Sequence, residues 1–213
     1  MAPDAVLAAL AAASGGLAWG WRFSLQALAL VLLALVAASV ERGSYRPSPA
    51  NRVTLFRAAL VGVLAGFVGQ ELPVWLPAVG AVALALDGVD GWVARRTDTA
   101  SAFGARFDME LDALTTVVLS MLVWQADHAG VWVLLSGAMR YLWVLACAAL
   151  PWLRAPLPEL LSRKVVCVLQ VGALILALAL PRELAEPLCG LALLALTWSF
   201  ARDAVALARL RVA

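Results

Sequence analysis

The stretch DGVDGWVARRTDTASAFGARFDMELD, residues 87–112, contains five aspartates and one glutamate. It lies in a chain of 213 residues that is 64% hydrophobic and only 14% charged. This composition is typical of membrane proteins, in which a charged side chain within the bilayer is costly unless another charge compensates it. Such a concentration of carboxylates therefore indicates a functional site.

The spacing of the carboxylates predicts two helices whose acidic faces meet. On a helix, Asp87 and Asp90 lie about one turn apart on the same face. After a turn near residues 95–101, Asp108 and Asp112 lie about one turn apart on the next helix. Two antiparallel helices can therefore direct two pairs of carboxylates toward each other.

The two remaining acidic residues of the stretch are excluded from this site. Glu110 lies about 200° around the helix from Asp108 and faces elsewhere. Asp98 lies in the connecting turn, where a solvated or helix-capping residue is expected. A purely structural ion-pair network with Arg95 and Arg106 is the alternative interpretation of the cluster.

Four carboxylates at a membrane boundary need compensating positive charge, and divalent cations supply it with few ligands. Oxygen ligands without histidine or cysteine favour Mg²⁺, Mn²⁺ or Ca²⁺ over zinc. Two such ions about 4 Å apart would form a site suited to phosphoryl transfer. Mg²⁺ or Mn²⁺ in a two-metal site is therefore the expected cofactor.

The order of residues in this stretch resembles the signature of the CDP-alcohol phosphatidyltransferase family of integral membrane enzymes of phospholipid synthesis. Eight positions over 26 residues carry the resemblance: Asp87, Asp90, Gly91, Ala94, Arg95, Gly104, Asp108 and Asp112. It covers roughly residues 47–207 and implies an all-α protein with a six-helix transmembrane core.

The resemblance also implies a role for each matching residue. Asp112 resembles the general base of the family. The metal-holding carboxylates would be Asp87, Asp90, Asp108 and Asp112. The CDP pocket would be formed by Asp87, Gly91, Ala94, Arg95 and Gly104, together with Thr54. Small residues there would admit a planar nucleotide between helices, and an arginine suits anionic phosphate.

A second stretch, PSPANRVTLFR at residues 47–57, supports the same assignment. Ser48 is a candidate helix N-cap, followed by Pro49 in the first turn. Asn51, Thr54 and Arg57 resemble the Asn-Thr-Arg pattern that opens the first core helix of the family. Arg57 lies inside an apolar span and needs an anionic partner, either a site aspartate or a substrate phosphate. The alternative is an arginine that extends toward the membrane surface.

Binding of the acceptor is expected on later helices. Arg163 and Lys164, in SRKVVCVLQ, are candidates for contacting an acceptor phosphate or anionic headgroups. They fit equally well as a positively charged cytoplasmic flank. Arg140 lies in mid-span and is expected to face the interior. Members that use glycerol phosphate commonly have Arg-Glu where this chain has Arg140-Tyr141, which argues against glycerol 3-phosphate without naming another acceptor.

Apolar runs predict the membrane topology. Spans are expected near residues 23–40, 53–69, 73–95, 103–126, 129–150, 164–180 and 186–207. Residues 5–21 are interpreted either as an interfacial helix or as a further crossing. The chain is thus divided into an N-terminal region, 1–46, with at least one extra membrane helix, and a six-helix domain, 47–213. A cleaved signal peptide is disfavoured because more arginines follow the first span than precede it.

The distribution of arginine and lysine predicts the orientation of the spans. Twelve of the 16 basic residues fall in connections or at chain ends on one side of the predicted membrane. The positive-inside rule places that side, and residues 95–106 with it, in the cytoplasm. We therefore expect a multi-pass protein of the cell membrane with its site facing the cytoplasm.

The predicted function is transfer of a phosphatidyl group from a CDP-linked lipid, with CDP-diacylglycerol as the expected donor, to a hydroxyl of an alcohol acceptor, releasing CMP. The expected partners are these substrates and membrane lipids, without nucleic acid, and the resemblance implies a homodimer. The alternatives are a catalytically inactive lipid- or nucleotide-binding relative and a carboxylate-based cation transporter. The transporter is disfavoured because the sequence shows no continuous polar route across the spans.

Overall fold

The computed structural model of the protein describes residues 49–96, 102–155 and 161–212. Within these ranges, the side chains of residues 49–52, 90–95, 102–103, 106, 154, 161 and 210–212 are outside the description. The expectations for residues 1–46, including the crossing at 23–40, and for Ser48 and Asp98 likewise fall outside the described residues.

The described residues form six α-helices and contain no strand. In chain order these are α1 (Pro49–Gly66), α2 (Leu76–Arg96), α3 (Ala102–Gln125), α4 (Leu134–Ala149), α5 (Leu161–Ala177) and α6 (Arg182–Val212). Two short 3₁₀ helices, Val131–Val133 and Pro151–Arg154, precede and follow α4. The all-α prediction is confirmed, and each helix coincides within a few residues with a predicted span, except that α6 continues further.

The chain divides into two compact units, and the boundary between them lies within α3: the first unit ends at Asp112 and the second begins at Ala113. In the first unit, α1 packs against α2. The face of α1 that packs inward carries buried residues spaced by three, four and three positions: Thr54, Arg57, Val61 and Leu64. This is the periodicity of one helix face. The packed face of α1 is therefore polar toward its N-terminus, at Thr54 and Arg57, and apolar toward its C-terminus.

In the second unit, α5 packs against α6. The N-terminal part of α4 lies close to α3, because a Cβ atom placed on Gly137 would be only 2.6 Å from Val117 Cα. Small residues allow such close approach between helices in membrane proteins. Gln170 Nε2 of α5 donates a buried hydrogen bond to Ser136 Oγ of α4 at 3.0 Å, so a polar contact also joins these helices.

The connections use residues that tolerate a left-handed backbone. Gly69 has φ 82° in the α1–α2 connection, and Asp127 has φ 56° in the α3–α4 connection. Glycine adopts this conformation without steric cost, and aspartate is among the few other residues that adopt it readily. In the α3–α4 connection, His128 Nδ1 donates a hydrogen bond to the carbonyl oxygen of Ala177 at 2.7 Å. The connection is thereby fixed to the end of α5.

Two stretches of the described chain are long and apolar enough to cross a membrane, Val131–Ala149 and Arg182–Arg209. Only 17% and 22% of their apolar windows are buried. Leu191 and Leu194 of α6 are each 68% exposed. Exposed leucines of this kind are unfavourable in water and favourable against lipid, so these helices have the surface that a bilayer requires.

Candidate active site

The inward face of α1 carries a positive charge into the packed part of the first unit. Arg57 lies one turn before Val61 on this face, and its side chain is only 2% exposed. An arginine enclosed in this way requires anionic partners, because an uncompensated buried charge is strongly unfavourable.

The carboxylates approach from the next two helices. On α2, Leu76, Gly80 and Ala83 are buried, and Asp87 follows one turn later on the same face. On α3, Asp108 and Asp112 lie one turn apart. One carboxylate oxygen from each of the three aspartates lies within 4.8 Å of the other two. The structure thus brings together three of the four predicted carboxylates, while the side chain of Asp90 is outside the described residues.

Arg57 lies among these three carboxylates. Its Nη1 is 2.6 Å from Asp87 Oδ1 and 2.8 Å from Asp108 Oδ1, and its Nη2 is 2.5 Å from Asp112 Oδ1. Of the two partners that the sequence allowed for Arg57, the structure shows the aspartates. The fixed fork of a guanidinium suits several carboxylate oxygens at once. The described side chains of this group, which we call the acidic cluster, still carry more negative than positive charge.

Asp108 differs from the other two carboxylates in how it meets Arg57. Asp87 and Asp112 each accept a hydrogen bond from the guanidinium. Asp108 Oδ1 is buried and close to Nη1, yet its geometry does not make a hydrogen bond. The contact of this oxygen with Arg57 is therefore mainly ionic and poorly directed, and buried oxygens without a well-formed hydrogen bond are rare in native proteins.

These observations fit a divalent metal. Three converging carboxylates without histidine or cysteine are hard oxygen donors, the type preferred by Mg²⁺ and Mn²⁺. The buried Asp108 oxygen without a hydrogen bond is a ready ligand atom, and Arg57 shows that the cluster accepts a cation. Asp87, Asp108 and Asp112 are the described residues that could hold the ion.

Of the other residues predicted to contact CDP, the structure describes the burial of Thr54 and Gly104. Thr54 is buried on α1, one turn before Arg57, and Gly104 is half-buried on α3, one turn before Asp108. Gly91, Ala94 and Arg95 belong to α2, but their exposure and contacts are outside the description, as are those of Arg106 on α3. Glu110 is exposed on α3.

Comparison with known proteins identifies the family of the chain. The model of the family described as CDP-alcohol phosphatidyltransferase matches residues 48–202. The chain belongs to the CDP-alcohol phosphatidyltransferase family. The match begins just before α1 and ends within α6, so it includes every helix of the acidic cluster. Searches of curated proteins and of solved structures gave no significant match.

Membership of the CDP-alcohol phosphatidyltransferase family implies a membrane-associated transferase of phospholipid biosynthesis that moves a phosphatidyl group from a CDP-alcohol. Members of the family typically depend on a divalent metal, and the acidic cluster supplies ligands of the appropriate kind. The resemblance noted in the sequence is thereby confirmed at the level of the family.

The predicted acceptor residues lie in the second unit, where a different charged group is found. Arg163 Nε is 3.3 Å from Asp203 Oδ2, and Arg202 Nη2 is 3.4 Å from Asp203 Oδ1. Arg202 Nη1 also donates a hydrogen bond to Ser162 Oγ at 3.0 Å, and its guanidinium lies 5.1 Å from the centre of the Trp198 ring. We call Arg163, Arg202 and Asp203 the basic cluster. Lys164, the neighbour of Arg163, is exposed.

Asp203 was missed by the sequence reasoning. It is a buried carboxylate inside the predicted span 186–207. A charged side chain within a span is costly and needs a partner, which was the reason for singling out Arg140 and applies equally to Asp203. Arg140 itself is half-buried on α4, one turn after Ser136. Its neighbour on the face of α4, Ser136, bonds Gln170 of α5, so polar residues cluster on the facing surfaces of these helices.

Proposed function

We propose that this protein transfers a phosphatidyl group from CDP-diacylglycerol to the hydroxyl group of an alcohol acceptor and releases CMP. The convergence of Asp87, Asp108 and Asp112 on one point carries this proposal, within a chain of the matching family. The exposed apolar surfaces of α4 and α6 support a membrane-embedded enzyme to which a two-tailed lipid has lateral access.

The acidic cluster would hold Mg²⁺ or Mn²⁺ through Asp87, Asp108 and Asp112, with Asp90 as the fourth ligand indicated by the sequence pattern. A bound divalent ion would supply neutralisation of the diphosphate charge, which otherwise repels both the carboxylates and the incoming oxygen. A pair of ions is favoured by the number of carboxylates.

The chain's own residues perform the proton transfer. Asp112 is the proposed general base, and its side chain is 48% exposed, so an acceptor can reach it. Asp112 takes the proton of the acceptor hydroxyl, and the acceptor oxygen forms a bond to the β-phosphorus. The bond between that phosphorus and the oxygen bridging to CMP breaks, so CMP leaves with the bonding electrons and no covalent enzyme intermediate is needed.

Arginines outside the acidic cluster are proposed to bind anionic groups of the substrates. Arg163 and Lys164 suit an acceptor phosphate or the headgroups of anionic lipids, and Arg140 suits a polar acceptor within the helices. The acidic cluster is proposed to face the cytoplasm, in line with the arginine-rich connections predicted on that side.

The decisive experiment uses Asp112→Asn in purified protein supplied with CDP-diacylglycerol, Mg²⁺ and a panel of alcohols. We expect CMP release to fall about 10²–10⁴-fold, which is the usual worth of a general base, while Mn²⁺ binding persists through the other carboxylates. Glu110→Gln is the matched control on the same helix and should retain activity. Mass spectrometry of the lipid product identifies the acceptor.

Two results would contradict the proposal. Full activity of Asp112→Asn would remove Asp112 as the base. Donor binding without CMP release by the unaltered protein, over the whole acceptor panel, would assign the chain as an inactive lipid-binding relative.

A further inference from the structure

The position of Arg57 is unusual for a residue whose only task is to contact substrate phosphate. Its guanidinium is almost completely enclosed and reaches oxygens of Asp87, Asp108 and Asp112 at 2.5–2.8 Å. These same three residues offer the converging oxygens of the candidate metal site. One cation therefore already lies where a divalent ion would have to bind.

We propose that Arg57 is an exchangeable counter-cation of the acidic cluster: it holds the carboxylates together without metal and gives up its contacts when a divalent ion binds. This inference rests on the proposed function, since it concerns the same carboxylates. It differs from a phosphate-binding role for Arg57, because it makes the arginine a competitor of the metal.

Charge balance explains why such a residue is needed. Three carboxylates converging near the membrane would repel one another strongly, and the fold would separate them or protonate them. The guanidinium prevents this, since it makes several directional contacts from one fixed plane. The carboxylates are thus kept in position for a metal by a residue that α1 delivers from its packed face.

The contacts also indicate the order of exchange. Asp87 and Asp112 are hydrogen-bonded to Arg57, whereas Asp108 Oδ1 is close to it without a hydrogen bond. Asp108 therefore has the least directional contact with Arg57 to give up, and we expect it to be the first of the three to become available to a metal. Loss of the remaining contacts to Arg57 then leaves Asp112 able to act on a substrate.

The test measures Mn²⁺ binding to metal-stripped, detergent-purified protein by electron paramagnetic resonance, with no CDP-lipid present. Removal of the competing charge in Arg57→Gln should tighten Mn²⁺ binding by about tenfold or more. The metal-free variant should also melt at a lower temperature than the unaltered protein, and Mn²⁺ should raise its melting temperature by more.

Two further variants keep the result interpretable. Arg57→Lys retains the charge but not the planar fork, so its Mn²⁺ affinity should lie between those of the unaltered protein and Arg57→Gln. Arg182→Gln removes another arginine that pairs with two carboxylates, Asp127 and Glu186, and should leave Mn²⁺ affinity unchanged. If Arg57→Gln does not fold, Arg57→Lys carries the test.

Equal or weaker Mn²⁺ binding by Arg57→Gln or by Arg57→Lys, relative to the unaltered protein, would overturn the exchange. Because no donor is present, this outcome is separate from a failure of the proposed reaction. Tighter Mn²⁺ binding in a protein that released no CMP would uphold the exchange and refute the activity.

Discussion

The two charged clusters of the molecule are built with opposite balance. In the acidic cluster, one arginine contacts three carboxylates, whereas in the basic cluster one carboxylate, Asp203, lies between Arg163 and Arg202. A surplus of carboxylate favours a cationic ligand, and a surplus of guanidinium favours an anionic one. The same residue types therefore predict metal binding in one place and phosphate or headgroup binding in the other.

The degree of enclosure also differs between the clusters. Arg57 is 2% exposed, whereas the side chains of Arg163 and Arg202 are 32% and 29% exposed. Water screens the contacts of Arg163 and Arg202 with Asp203 more effectively, so each of these contacts contributes less to stability. In the basic cluster the carboxylate is instead the enclosed member, with Asp203 at 10%. Changes to the acidic cluster should accordingly have the larger effects.

The largest effect is expected for Asp108→Asn. This change keeps the shape of the side chain but removes the charge of the residue that meets Arg57 without a hydrogen bond. Mn²⁺ affinity should fall by about 100-fold or more, because even groups that only support metal ligands are worth about 10–100-fold. CMP release should be lost together with it.

Isothermal titration with Mn²⁺ and a CMP-release assay on the same preparation measure both quantities. The comparison between clusters would fail if Asp108→Asn kept its Mn²⁺ affinity while Asp203→Asn lost it. In that case the metal would bind in the second unit, and the acidic cluster would be a structural ion-pair network.

Much of the helical architecture could be predicted from the sequence. Long apolar runs separated by charged or glycine- and proline-containing segments placed all six described helices, since a run of about 20 apolar residues has few other folded forms. Helix ends were predicted less accurately. The helix α6 extends to Val212, beyond the predicted 207, because alanine, leucine and arginine continue the helix without a stop signal.

The carboxylates were predicted more completely than their partners. Spacing within a helix fixes which residues share a face, and this was sufficient for Asp87, Asp108 and Asp112. Pairing between helices depends on their rotation and depth, which no local spacing encodes. Arg57 was therefore left with two possible partners, and Asp203 was not recognised at all because it follows Arg202 at an arginine-rich helix end.

The next prediction concerns the close packing of α3 and α4 in the second unit and involves no change of charge. Gly137→Ala would place a Cβ atom 2.6 Å from Val117 Cα and 3.0 Å from Ser120 Oγ, so the backbone of α3 or α4 must shift. We expect a loss of about 1–3 kcal/mol in the free energy of unfolding, as is usual for overpacking, with Mn²⁺ affinity unchanged. Thermal unfolding in detergent measures the loss.

The matched control for this variant is Gly62→Ala on α1, where an added Cβ would meet no atom within 4 Å in the described part of the chain, beyond its own neighbouring helix backbone. Alanine is the better helix former by about 1 kcal/mol, so this variant should be equally or more stable. Equal losses in both variants would show that glycine is needed for a reason other than close approach.

The smallest effect is expected for Asp203→Asn in the basic cluster. Breaking a fully buried ion pair costs about 3–5 kcal/mol and an exposed one less than about 1 kcal/mol. Because Asp203 is enclosed while both arginines remain partly hydrated, we expect a loss of about 1–2 kcal/mol in the free energy of unfolding. Arg163 and Arg202 would also become more available to anions, so inorganic phosphate should protect this variant against thermal unfolding more than it protects the unaltered protein. If phosphate protects Asp203→Asn no better than the unaltered protein, the basic cluster is only a structural ion-pair group. The acidic and basic clusters would then differ in their contribution to stability but not in the charge of the ligand they bind.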